Sequence, residues 1–228
     1  MMKTEIIKIR DYESLPSFVP QKSVVAGGGI VAFPTETVYG IAVAYDSDQA
    51  IESIFRLKER ERGKPLTLHI SNASRVDAFV DWTRLSDEEI RIYRSLIAKF
   101  WPGPLTVILP KKNTVSDVLT GGLSTVAFRF PSHPVSIAFI EACGGAVAAT
   151  SANLSGGFSC TTGAAVEQEL GGKIACILDA DSGILGIEST VISIQGGVKI
   201  LRQGAIGIRM IERVLRGSVQ RSESGKGV

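Results

Sequence analysis

The 228-residue chain reads as an α/β protein with a mixed parallel and antiparallel sheet and flanking helices. Three observations predict this class. Short apolar runs rich in Val, Ile and Ala alternate with amphipathic stretches, as strands covered on both faces alternate with the helices that cover them. Helix boundaries punctuate the intervals, clearest at the capping-box pattern Ser86-Asp87-Glu88-Glu89 and at the stop Trp101-Pro102-Gly103-Pro104. Finally, Gln195-Gly196-Gly197 joins two strand-like runs as a hairpin turn, which a purely parallel sheet does not contain.

In order, strands are expected at 5–9, 30–33, 41–44, 66–70, 105–109, 125–130, 146–150, 175–178, 190–194 and 199–201. Ser47 or Asp48 caps a helix running toward Lys58. Ile90, Tyr93, Ile97 and Phe100 keep helical spacing and should face the core. Pro134 suits the first turn of a helix through Cys143, and a last helix is expected over 206–215. One domain over 1–216 is expected, with residues 217–228 a disordered tail rich in Ser, Gly and charge. No internal repeat is present.

Apolar residues at 44% and charged residues at 21% supply the core of a globular protein. A net charge of +2 excludes a strong global field toward nucleic acid or membrane, so any anion site must be a local cluster. The start Met1-Met2-Lys3-Thr4-Glu5 lacks an apolar signal region and no run reaches membrane-spanning length, so a cytoplasmic protein without membrane contact is expected. Cys143, Cys160 and Cys176 are far apart and read as reduced thiols. His69 and His133 are the only histidines, so no His/Cys metal site is expected, while Mg²⁺ carried in by a nucleotide stays open. Gly171-Gly172-Lys173 is not a P-loop, because Glu167 stands where its first Gly belongs. Asn153-Leu154-Ser155-Gly156-Gly157 lacks the leading Gly of a nucleophile elbow. Covalent catalysis is not indicated.

Polar chemistry gathers at strand ends, where α/β proteins bind ligands. Phe33-Pro34-Thr35-Glu36-Thr37-Val38-Tyr39-Gly40 follows a buried run and bunches hydroxyls, a carboxylate and a phenol; an ordinary turn is the alternative. Beyond Lys58, Gly63 and Pro65 favour an extended chain. Lys58, Arg60, Arg62 and Lys64 would then line one side of a groove suited to polyphosphate, with Glu59 and Glu61 turned away; a solvated helix end is the alternative. His69 lies inside a strand, either simply buried or bonding a substrate. Arg129, between Phe128 and Phe130, needs a partner there, either a structural carboxylate or a ligand's. Thr150-Ser151-Ala152-Asn153 follows another buried run and offers polar hooks beside free backbone N–H groups. Glu188-Ser189-Thr190 and Arg202 border the last two strands.

Together these segments resemble the YrdC-like family, whose known activity is threonylcarbamoyl-adenylate synthesis. The resemblance spans Gly28 to Ala205. It is carried by the 33–40 segment, by Lys58-x-Arg60 with Pro65-Leu66 and His69, and by Trp101-Pro102-Gly103-Pro104-Leu105-Thr106. Thr125-Val126-Ala127-Phe128-Arg129 with His133-Pro134, Ser151 through Gly156, and Glu188-Ser189-Thr190-Val191 with Ile200-Leu201-Arg202 complete it. It implies a twisted mixed sheet around a concave basic cavity. It also implies a nucleotidyltransferase: L-threonine and bicarbonate form a carbamate that attacks the α-phosphorus of ATP, releasing pyrophosphate. The product would feed threonylcarbamoyladenosine modification of tRNA through a downstream transferase complex, and direct tRNA contact is compatible with this.

By that resemblance Lys58, Arg60, Ser151 and Asn153 form the catalytic tetrad, and Lys64, Thr125, Ala149 and Arg202 join it on ATP. Thr35, Thr37, His69, Arg129 and Ser189 would hold threonine. ATP is then a substrate, Mg²⁺ accompanies it, and no resident metal is implied. The usual Lys-Gly-Arg-Pro is Lys58-Glu59-Arg60-Glu61 here, and Ser159-Cys160-Thr161-Thr162-Gly163 departs from the common Ser-Pro-Thr-Thr-Ala. The chain matches a short form without the second domain of the long form. The competing reading is a paralogue that binds RNA or nucleotide with little synthase activity. A carbamoyltransferase domain of hydrogenase maturation shares the fold, but its accessory segments have no counterpart in this sequence.

Overall fold

The computed structural model describes residues 3–180 and 184–224, with side chains to Arg216. Among them, ten strands form one sheet: β1 (Glu5–Lys8), β2 (Val31–Phe33), β3 (Gly40–Val43), β4 (Thr67–Ile70), β5 (Leu105–Pro110), β6 (Thr125–Arg129), β7 (Ala146–Ser151), β8 (Cys176–Asp179), β9 (Thr190–Ser193) and β10 (Lys199–Arg202). Their order is β1-β8-β2-β3-β7-β4-β6-β5-β9-β10. Neighbours pair parallel at β1/β8, β8/β2, β4/β6 and β5/β9, and antiparallel elsewhere. The sheet is therefore mixed, as the 195–197 turn between β9 and β10 requires. Each strand lies within one residue of its apolar run at either end.

The helices are α1 (Val19–Ala26), α2 (Asp48–Lys58), α3 (Asp87–Phe100), α4 (Asp117–Thr120), α5 (Pro134–Ala142), α6 (Gly163–Leu170) and α7 (Ile208–Ser224). Local chemistry sets the starts that sequence anticipates. Ser47 accepts the Ala50 amide at α2, and Ser86 and Glu89 close a full capping box at α3. Tyr93, Leu96 and Phe100 form the buried face of α3, with Ile90 and Ile97 half-buried at its edge. Helices α1, α4 and α6 are short and were not legible. α1 starts without a side-chain cap, and α4 spans four residues, too few to show a period. The last helix runs to Ser224, beyond the expected end at 215. The tail expected from 217 thus overlaps α7, and 225–228 lie outside the described residues. No described helix is long and apolar enough to cross a membrane.

Two cores form, one on each face of the sheet. On one face Ile41, Leu68, Val107, Phe128, Ala148 and Ile192 meet α2, α3, α6 and α7 through Ile54, Leu96, Val166 and Ile211. On the other face Val31, Phe33, Ala42, Val147 and Cys176 pack against α1 and α5 through Val25, Val135, Phe139 and Ile140. That second layer covers β8, β2, β3 and β7 and reaches β4 through α5, beyond which the same face continues onto β6, β5 and β9.

Candidate active site

Side chains alternate across a strand, so register decides which residues share the uncovered face. Ala149, Thr67, Ala127 and Ile108 stand opposite one another across β7, β4, β6 and β5. The next line runs His69, Arg129, Thr106 and Val191 across β4, β6, β5 and β9. These two lines floor a cavity of about 400 Å³. Its walls are the β2–β3 connection, the chain after α2, and the segment entering β9. Arg202 closes the far side.

Arg202 reaches the cavity through a bulge. Ile200 pairs with Ile192 and Arg202 with Val191, so two residues of β10 oppose one of β9. Without the extra residue Arg202 would share the face of Ile200, away from the cavity. Its Nη1 pairs with the Glu188 carboxylate, while Nε and Nη2 donate to the Ser189 carbonyl at 3.2 and 3.0 Å. Ser189 Oγ lies 2.8 Å from Thr106 Oγ1, tying this wall to the floor.

His69 is buried against Phe33, whose ring meets it edge-on at 5.7 Å. Burial, and secondarily the charge of Arg129, holds its pKa down at about 3 from an ordinary 6.5, so the imidazole is neutral at pH 7. Its Nδ1 faces the Thr67 carbonyl at 3.5 Å, so the neutral ring that donates there keeps its Nε2 acceptor for a ligand. Arg129 has the structural carboxylate that one reading requires and stands where the other needs it. It is half of a buried ion pair, with Nη2 2.9 Å from Glu36 Oε1, and it also lines the cavity. The same nitrogen donates to Thr37 Oγ1 at 2.6 Å and Thr35 Oγ1 at 3.3 Å.

At the other end the chain after α2 departs from the extended segment that sequence predicts. Glu59 caps the helix in the left-handed region, φ 50°, and the Lys64 amide bonds back to the Glu61 carbonyl at 3.0 Å as a turn. Coiled rather than extended, the run no longer puts its cations on one face. Arg62 points away and pairs with Glu52 at 3.1 Å, 79% exposed. Glu59 and Glu61 stay off the cavity lining, as expected, and Glu61 pairs with Lys64. Arg60 and Lys64 line the cavity, with Arg60 held on the Lys64 and Pro65 carbonyls at 3.1 and 3.0 Å.

Lys58 lies beneath the cavity. Its buried amine donates to the Ser151 carbonyl at 2.5 Å, to the Asn153 carbonyl, and sits 3.5 Å from Asn153 Oδ1. Burial, then the charge of Arg60, lowers its pKa to about 8, although Glu188, Cys160 and Glu169 act in the opposite sense. The amide of Asn153 bonds the Leu154 and Gly157 carbonyls at 2.7 and 2.9 Å and shapes the loop. The backbone donors expected to be free here are engaged: the Ala152, Leu154 and Ser155 amides bond Tyr39 O, Glu169 Oε1 and Lys58 O.

Of the residues singled out in the sequence, Thr35, Arg60, Lys64, His69, Arg129, Ala149, Ser151, Ser189 and Arg202 line one cavity. Lys58 and Asn153 lie directly behind Ser151, and Thr37 is fully buried behind Arg129. Thr125 begins β6 on the face of Ala127 but outside the lining. Sequence reasoning missed Glu36, Thr106 and Glu188 as parts of the site. All three sit inside the segments it singled out, yet only register and partner geometry show what they touch. Glu188 is the one carboxylate on the lining, among Arg60, Lys64, Arg129 and Arg202. No cluster of three His, Cys, Asp or Glu side chains that could hold a metal occurs among the described residues.

Comparison with known proteins identifies the family and the fold. The family model for Sua5, YciO and YrdC, described as telomere recombination, matches residues 23–204. A threonylcarbamoyl-AMP synthase of Pyrococcus abyssi is 40% identical over 190 residues, covering 82% of this chain and 54% of that protein. A threonylcarbamoyl-AMP synthase of Photobacterium profundum is 34% identical over 161 residues, 71% of this chain and 85% of that protein. The crystal structure of Pyrococcus abyssi Sua5 complexed with L-threonine superposes with a TM-score of 0.85 at 37% identity, over 92% of this chain and 61% of that one. The chain thus spans little more than half the length of the archaeal relative. The extent of the family match, the shared fold and the identity of these relatives lead to one conclusion: the chain belongs to the Sua5/YciO/YrdC family.

Proposed function

We propose that this chain makes threonylcarbamoyl-AMP from L-threonine, bicarbonate and ATP, releasing pyrophosphate. One observation carries the reading: a single cavity is furnished differently at its two ends. Arg129, neutral His69, Thr35 and Ser189 form a compact polar end, the size and chemistry of an amino acid. Arg60 and Lys64 form a cationic end suited to phosphates, beside Ser151 and the Ala149 backbone, and Arg202, bonded to Ser189 and near enough to act on the charge of Arg60, stands where the two ends meet. Relatives that the chain matches bear the name of this synthase, and one is a complex with threonine.

In this reading the Arg129 guanidinium grips the carboxylate of threonine. The amine, freed of a proton, attacks the carbon of bicarbonate, and water leaves to give the carbamate. A carbamate oxygen then attacks the α-phosphorus of ATP, and the bond to the β,γ-pyrophosphate breaks. The carbamate is already nucleophilic, so the protein supplies position and charge neutralisation rather than a strong base. Lys58 and Asn153 act from behind by fixing Ser151, Thr37 by fixing Arg129, and Thr125 lies where a long nucleotide would extend past Ala127. Mg²⁺ bound to the phosphates would share in neutralising their charge, and Glu188, the one carboxylate on the lining, is paired with Arg202. A transferase complex would pass the threonylcarbamoyl group to tRNA.

The test incubates the protein with ATP, Mg²⁺, L-threonine and bicarbonate and looks for threonylcarbamoyl-AMP by mass spectrometry, with pyrophosphate measured alongside. Product that needs all four components supports the reading. Salt-sensitive RNA retention, indifferent to threonine and without product, overturns it in favour of a binding module.

A further inference from the structure

Glu36 touches no part of the cavity surface, yet it is the residue on which the orientation of Arg129 turns. The β2–β3 connection, residues 34–39, is wholly buried, so each polar group in it needs a partner. Thr35 Oγ1 donates to the Val38 carbonyl at 2.6 Å. Its only proton is spent there, so in the 2.9 Å contact between the two hydroxyls Thr37 must donate to Thr35. Thr37 Oγ1 then accepts from Arg129 Nη2 at 2.6 Å, and the chain of donation has one direction. The two threonine hydroxyls are thus used up in receiving Arg129.

The charge is balanced by Glu36 alone. Both its oxygens are engaged: Oε1 accepts from Arg129 Nη2 at 2.9 Å and Oε2 from the Ser132 amide at 3.1 Å. Two fixed donors set the plane of the carboxylate. The side chains of Arg129 and Glu36 are 6% and 12% exposed, so this pair is screened little by water. Every hydrogen bond Arg129 makes to the described residues leaves through Nη2, and its buried Nε has none. A guanidinium held by one corner keeps its other donors for something else, and an unpaired buried N–H is costly. The same stretch also anchors the opposite wall, since the Leu185 and Gly186 amides bond the Glu36 and Thr37 carbonyls at 2.7 and 2.8 Å.

We propose that Glu36 is a positioning residue for the amino-acid carboxylate: it pins one corner of Arg129 so that the remaining guanidinium donors are presented to the substrate. This rests on the synthase reading and names the group behind its amino-acid end. Glu36 acts only through Arg129, so its effect belongs to the amino acid and not to the nucleotide.

The experiment measures threonine and ATP binding by calorimetry on the full chain, in wild type, Glu36→Gln and Glu36→Asp, with KM for each substrate and kcat from turnover. Gln keeps the shape and loses the charge; Asp keeps the charge and withdraws it. The expected result is a loss of about ten-fold or more in threonine affinity for Glu36→Gln, the step from a charge-assisted to a neutral contact. Threonine KM rises in parallel, ATP affinity stays within two-fold, and Glu36→Asp falls between. Unchanged threonine affinity overturns the proposal, as does equal loss for both ligands. Failure of both variants to fold overturns it too, because Glu36 would then be a purely structural carboxylate. Wild-type protein that binds ATP but no threonine sinks the synthase reading itself, an outcome distinct from all of these.

Discussion

Lowering the pH from 7 to 5 should destabilise this fold through His69, and the size of the loss follows from its burial. The imidazole has a pKa of about 3 in the folded chain against 6.5 ordinarily, because burial and then Arg129 disfavour its charged form. Between those two values the unfolded chain binds a proton that the folded chain does not. Stability from this group is therefore complete above pH 6.5 and drains away as pH falls toward 3. One pKa unit is worth ~1.4 kcal/mol, and pH 5 lies about 1.5 units below the unfolded value, so the loss by pH 5 is ~2 kcal/mol. Carboxylates titrate in the same range, so the measurement is a difference. Urea unfolding of wild type and His69→Gln at pH 7 and pH 5 gives four free energies. Wild type should lose ~2 kcal/mol more than the variant between the two pH values, whatever the substitution costs at pH 7. Equal losses in both proteins would refute the reasoning, since they would mean that His69 is hydrated or paired when charged.

Other substitutions separate the two layers of the nucleotide end. Lys58→Ala leaves the Ser151 and Asn153 carbonyls without their buried donor, so thermal melting should show a loss of ~2–4 kcal/mol alongside weakened ATP binding. Arg60→Ala removes a cavity-lining cation held only on turn carbonyls, so ATP affinity should fall about ten-fold or more with little change in melting. Equal melting of the two variants would contradict this division. Gly204→Ala places a methyl 2.1 Å from the Glu188 carbonyl, which must move and carry Glu188 and Ser189 out of the wall. Binding of both threonine and ATP should suffer in a protein that stays folded, and undisturbed binding of both would show that the wall is compliant.

What was readable in the chain depended on whether the signal was local. Each strand announced itself, because a short apolar run of three to six residues between turn formers satisfies both burial and extended geometry on the spot. The caps of α2 and α3 were equally local, since Ser47 and Ser86 bond amides three residues on. Helices α1, α4 and α6 were not, being too short to repeat a pattern and held by tertiary packing, α1 and α6 on the sheet and α4 on α2. The run after α2 misled for a related reason. Alternating charges suggest an extended strand only if the backbone is extended, and the left-handed Glu59 turns it aside before Arg62.

By itself, then, the order of residues determined which segments become strands, where α2 and α3 begin, and which side chains have chemistry to offer. It was silent on partners far apart in the chain. That Arg129 meets Glu36, that Lys58 supports Ser151 from below, and that a bulge turns Arg202 into the cavity were all decided by strand order and register. The physical reason is that a side chain's face depends on a count of residues along a partner strand. A single inserted residue reverses that face, and no local pattern records it.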